Sequence, residues 1–131
     1  GIQMALKKTK ATCVFVCNLV TKPGPTDGFS VIDFANEIER LAGSKFLDYV
    51  VFNNDMPSKE VMDRYAHDVE FGVEYDLAEL KKQHYQYRAV PILAKSTWMG
   101  MQASAPLAHS RSLIRHDPDA VARQLMRIYF A

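Results

Sequence analysis

Two rhythms of apolar residues alternate along the chain: short unbroken runs, and stripes spaced as on one face of a helix. The first run, Thr12 to Cys17, predicts a strand covered on both faces, as in a parallel sheet. Behind it lies the loop Cys17-Asn18-Leu19-Val20-Thr21-Lys22-Pro23-Gly24-Pro25-Thr26-Asp27-Gly28-Phe29-Ser30, rich in glycine, proline and hydrogen-bonding side chains. Ser30 and Asp33 then approximate a capping box, Val31, Phe34, Ala35, Ile38, Leu41 and Ala42 form a helical stripe, and Gly43 stands where a C-terminal cap belongs. Residues 46–52 predict a second strand ending at Asn53-Asn54-Asp55, followed by a helix from Pro57 and Ser58 that carries Val61, Met62, Tyr65 and Ala66.

The later chain repeats the rhythm less regularly. Residues 69–75 form a polar strand candidate interrupted by Gly72, and Asp76 with Glu79 predicts a short helix holding Leu77 and Leu80. Residues 87–93 predict another strand, in which Pro91 cannot donate to a ladder and implies an edge. Residues 95–112 have no period, contain Trp98, Met99 and Met101, and are expected to form a long loop or flap. Leu113 and Ile114 suggest a last short strand. Asp117-Pro118 then opens a closing helix with Val121, Leu125 and Ile128 on its buried stripe. At the other end, residues 1–8 carry Ile2, Met4, Ala5 and Leu6 without an N-terminal cap, so they are expected to be the last turns of a helix.

Strands alternating with helices imply right-handed crossovers onto one sheet. The expected fold is α/β: a single domain over residues 1–131, a three-layer Rossmann-like sandwich with a mainly parallel sheet, forming the C-terminal part of a larger domain. In such sheets ligands lie beyond the carboxyl ends of the strands. Asn18 and Thr21 after the first strand, Asn53 and Asn54 after the second, and Arg115-His116-Asp117 before the last helix are therefore expected on one rim. Asparagine amides both donate and accept, which suits sugar hydroxyls or a pyrimidine edge, and a forked guanidinium suits phosphate. The plain alternatives are an ordinary turn for the loop, an ion-paired surface arginine for Arg115, a packed histidine for His116 and a helix cap for Asp117.

Composition narrows the classes. With 131 residues, 48% of them hydrophobic, the chain can bury one core. A net charge of +1 with mixed signs speaks against a nucleic-acid partner, and Lys7, Lys8 and Lys10 read as solvated surface. No apolar stretch approaches the roughly 20 residues of a membrane span. Cys13 and Cys17 stand about 13 Å apart along a strand, too far for a disulfide, which fits a reducing cytoplasm and two buried structural thiols. Asp27 alone is a weak Mg²⁺ signal. There is no P-loop, no Gly-x-Gly-x-x-Gly and no Gly-x-Ser-x-Gly.

Three segments together carry a resemblance. Residues 11–30 contain Asn-x-x-Thr-x-x-Gly-x-Thr-Asp-Gly, residues 47–65 contain Asp-x-Val-x-x-Asn, then Pro-x-x-x-Val and Arg-Tyr, and residues 113–125 open with Ile-Arg-His-Asp. In this order they resemble the carboxyl-terminal part of the gluconeogenesis-factor proteins, within the wider 2-phospho-L-lactate transferase-like superfamily. The resemblance implies a cytoplasmic bacterial regulator that binds the nucleotide sugar UDP-N-acetylglucosamine and supports gluconeogenic growth and cell shape. It further implies Tyr65 and Arg115 as ligand contacts and Thr21, Gly24, Thr26 and Asp27 as pocket lining.

The sequence also departs from that family. Pro25 replaces a usual acidic residue, Pro118 stands where some relatives have a phosphorylatable threonine, and the family's glycine-rich amino-terminal loop is absent, so half a binding crevice is expected here. Two other functions stay open. One is a transferase moving a phospholactyl-type group onto a deazaflavin alcohol with Mg²⁺; the other is a protein-interaction piece, or homo-oligomer, using the 95–112 loop.

Overall fold

The structure, a computed structural model, describes residues 1–60, 63, 72–95 and 114–131. Strands β1 (Val14–Val16), β2 (Tyr49–Asn53) and β3 (Gln86–Val90) form a sheet in the order β1-β2-β3. Both pairings are parallel, with Val16 opposite Val51 and Val51 opposite Arg88. Helices α1 (Ile2–Lys8), α2 (Val31–Ala42), α3 (Leu77–Leu80) and α4 (Pro118–Tyr129) surround it.

Alternation along β2 makes three layers. Val50 and Phe52 point to one face, where they bury with Cys17, Val31, Phe34, Ala35 and Leu80. Val51 points to the other, where it packs with Ile92, Ala120 and Ile128 of the α4 side. Val50, Val51 and Phe52 are at most 1% exposed, so the middle strand is dry on both faces. The expected α/β sandwich is therefore the observed one.

The capping box of α2 forms as read: Asp33 donates its backbone N–H to Ser30 Oγ at 3.3 Å, and Ser30 donates its own to Asp33 Oδ2 at 2.9 Å. Gly43 closes the helix in the left-handed region at φ +68°, which glycine adopts without strain. Asp117 caps α4 by accepting from the backbone of Asp119 and Ala120 at 2.9 and 3.0 Å, and Asp76 caps α3 likewise.

Several expectations need correction. β1 and β2 are shorter than their apolar runs, and β3 ends before Pro91, which has no N–H to extend the ladder. Val14, Phe15 and Val16 are only half-buried because β1 has a neighbour on one side alone in the described sheet. Of the predicted strand at 113–114, Leu113 lies outside the described residues and Ile114 is in no strand; an isolated antiparallel bridge joins Leu93 to His116, two residues further on. Of the 69–75 strand, the described part makes only single bridges, Gly72 to Val20 and Glu74 to Ser30. Leu41 and Leu125, assigned to buried stripes, are 58% and 38% exposed. Cys17 is buried as expected, whereas Cys13 is only half-buried; both thiols are free. The helix residues Val61, Met62, Tyr65 and Ala66 and the loop residues Trp98, Met99 and Met101 lie outside the described residues, as does nearly all of the 95–112 segment. Among the described residues, no helix is long and apolar enough to cross a membrane.

Candidate functional site

Parallel pairing brings the carboxyl ends of β1 and β2 side by side. Asn18, one residue past the buried Cys17, meets Asn53, Asn54 and Asp55 from the end of β2 across a narrow cleft of about 100 Å³. Val20, Val73, Tyr75, Leu93 and Ile114 complete much of its wall. Residues separated by a hundred positions in sequence thus share one rim, as the topology rule for open sheets requires.

The three asparagines have different duties. Asn53 is committed to the fold: its Nδ2 donates to the Asp55 carbonyl at 2.7 Å, and its Oδ1 accepts from the backbone of Asp55 and of Ile92, both at 3.2 Å. It ties the loop after β2 to the chain leaving β3. Asn54 donates through Nδ2 to the Ala89 carbonyl at 3.1 Å, which leaves its Oδ1 available. Among the described residues the Asn18 side-chain amide has no partner, and Asn18 is exposed. Asn18 and Asn54 can therefore present hydrogen-bonding groups to a ligand, and Asn53 holds the rim they sit on.

Of the other expected site residues, Thr21, Gly24, Thr26, Asp27 and Arg115 do not line this cleft. Thr21 is 3% exposed and makes an interaction of its own. Gly24 bends the loop at φ +86°, Thr26 Oγ1 accepts from the Lys22 backbone at 2.7 Å, and Asp27 is exposed; none of these is among the lining residues. The Thr26 hydroxyl thus closes the loop's own turn. Arg115 is half-buried and partnered, next in sequence to the lining residue Ile114, and its carbonyl accepts from Ala94 at 2.8 Å. Tyr65 lies outside the described residues.

His116 is a structural residue, bonded through Nε2 to the Cys17 carbonyl at 3.0 Å, and so ties α4's entry to the end of β1. Burial pushes the Cys17 thiol up to about 12, against a weaker opposing hydrogen bond with the Asn18 backbone, so this thiol stays protonated beneath the rim. Two residues of the cleft escaped the sequence reading. Tyr75, 40% exposed, lies with its ring 4.7 Å from that of Phe52, and Met56 is 79% exposed. An aromatic residue just before a helix cap was the available signal for Tyr75. Among the described residues no three His, Cys, Asp or Glu side chains are grouped so as to hold a metal ion.

Comparison with known proteins supplies the family. The family model described as 2-phospho-L-lactate transferase CofD matches residues 1–93. A gluconeogenesis-factor relative from Thermotoga maritima is 40% identical over 81 residues, covering 62% of this chain and 26% of its own length. Another, from Thermoanaerobacterium thermosulfurigenes, is 33% identical over 93% of this chain and 33% of its own length. The gluconeogenesis factor of Bacillus subtilis is 25% identical over 91% of this chain and 33% of its own. The crystal structure of a UPF0052 family protein from Bacillus halodurans superposes with a TM-score of 0.78 at 22% identity, covering 96% of this chain and 36% of that one. The fold is shared, and the chain spans about a quarter to a third of the curated relatives it matches.

Proposed function

The chain belongs to the 2-phospho-L-lactate transferase CofD family, with relatives named gluconeogenesis factors, and we propose from that premise that it is part of a nucleotide-sugar-binding regulatory protein. The ligand proposed is UDP-N-acetylglucosamine, the compartment the cytoplasm, and the physiological setting carbon metabolism and cell shape. One observation carries the reading: Asn18 and Asn54, just past the ends of different strands, bring the Asn18 amide and the Asn54 Oδ1 to a single cleft at the carboxyl edge of a parallel sheet. The cleft suits one ring or sugar hydroxyl set of such a ligand, and the remainder would extend over the rim toward Arg115 and the loop bearing Thr21, Gly24, Thr26 and Asp27. Tyr65 completes the proposed set.

Calorimetry with UDP-N-acetylglucosamine tests this, on this chain and on a polypeptide extended upstream to the length of its relatives. Binding by either supports the reading, and Arg115→Ala should then weaken it by about 1.5–3 kcal/mol, the cost of a lost charged hydrogen bond. No heat from either polypeptide removes the proposal. The transferase alternative stands on the description of the matching family model. A phospholactyl-transfer product detected by mass spectrometry from the extended polypeptide would favour it.

A further inference from the structure

The opposite rim of the sheet, at the amino-terminal ends of β1 and β2, carries a second cleft of about 380 Å³, which the proposed function leaves unused. Lys7 from the last turn of α1, Lys10 and Thr12 from the segment entering β1, and Ser44, Lys45 and Asp48 from the α2–β2 connection all line it. The fold thus gathers three ammonium groups from two stretches of chain more than thirty residues apart.

Their charge is largely uncompensated. Among the described residues the ion pairs are Arg40 with Glu37, Lys82 with Glu79, and His84 with Glu39, so none of the three lysines has a carboxylate partner. Asp48, the one acid in the lining, accepts the Cys13 backbone N–H through Oδ2 at 2.7 Å, so the lining sets three lysines against one carboxylate. Lys7 reaches the C-terminal end of α2, with Nζ 3.5 Å from the position a Cβ on Gly43 would occupy. The Ser44 hydroxyl oxygen is buried without a hydrogen-bond partner, a state that costs free energy unless something occasionally satisfies it, and rotation about one bond changes its direction.

We propose that this cleft binds a phosphate-type oxyanion, either inorganic or as the phosphoryl group of a small metabolite, independently of the nucleotide-sugar site. Ammonium groups and hydroxyl donors converging on one concavity suit an anion with several acceptor oxygens.

The test is amide chemical-shift mapping of the ¹⁵N-labelled chain titrated with inorganic pyrophosphate, then with glucose 6-phosphate to separate the free anion from a phosphoryl group on a metabolite. Saturable shifts confined to residues 10–13 and 44–48 are expected with at least one probe. K10A and K45A should each weaken them about tenfold, the low end for losing one charged hydrogen bond. K81A, outside the cleft, should leave them unchanged. The proposal is overturned by non-saturable shifts, by shifts spread over every lysine, by binding that survives K10A/K45A, or by shifts at Asn18 and Asn54 alone. An oligoglutamate that produces the same shifts as strongly would also overturn it, since generic negative charge would then suffice.

Discussion

Replacing Asn53 by alanine removes three hydrogen bonds at once, two involving the Asp55 backbone and one from the Ile92 N–H. The Asp55 groups border the cleft, where water can replace the lost side chain, so their net cost is small. Ile92 is 0% exposed, and its N–H would be left in the interior without an acceptor. An orphaned buried donor costs about 1–3 kcal/mol, so the total comes to about 2–3 kcal/mol. For a domain of this size each kcal/mol lowers Tm by roughly 4 °C, which gives a fall of about 8–12 °C. Urea unfolding followed by circular dichroism should show a lower midpoint at an unchanged slope, the signature of lost stability without a change in compactness. Asn53→Asp keeps the acceptor for Ile92 but sets a carboxylate oxygen against the Asp55 carbonyl, where Nδ2 now donates at 2.7 Å, so it should also lower the midpoint. An Asn53→Ala protein within about 0.5 kcal/mol of the parent would refute the assignment of Asn53 to the scaffold.

Three other perturbations probe the rest of the fold. Glu39, 7% exposed, accepts from the Leu47 backbone at 3.0 Å and bonds His84 Nε2 at 2.8 Å; Glu39→Ala should cost about 2–3 kcal/mol in the same unfolding assay by leaving the buried Leu47 N–H unpaired. Ser30→Ala removes the reciprocal cap of α2 and should cost about 1 kcal/mol, read as a lower thermal midpoint. Alkaline pH should destabilise the protein: burial pushes both the Cys17 thiol and the Tyr85 hydroxyl up to about 12, the latter helped by the charge of Glu39. The unfolded chain ionises these groups from about pH 9 while the folded chain keeps their protons. Their contribution is therefore full below that pH and is lost as pH climbs toward 12, which urea midpoints between pH 8 and 11 would display.

The elements most legible in the sequence were those whose local chemistry and burial agree. Ser30, Asp33 and Gly43 bound α2 because capping groups lie within a few residues of what they satisfy, and Asp117-Pro118 marks α4 for the same reason. Strand ends were less legible: the second apolar run starts at Phe46 and Leu47, which pack against the core ahead of β2. Glu39 and Leu41 exchange the roles their types suggest, the acid buried and the leucine exposed. A partner 45 residues away, His84, and the distant Leu47 N–H decide that, and neither shows in a helical period. At the rim, convergence of Asn18, Asn53 and Asn54 followed from parallel topology, whereas the division of labour among them depends on which carbonyls and N–H groups the third dimension brings near.

Whether the cleft between Asn18 and Asn54 receives a nucleotide sugar is decided by amide-shift mapping with UDP-N-acetylglucosamine on the upstream-extended polypeptide. Saturable shifts centred on Asn18, Asn54, Tyr75 and Leu93, with Arg115 at their margin, are expected. Shifts that leave the Asn18–Asn54 rim untouched, or none at saturating ligand, would contradict the nucleotide-sugar reading.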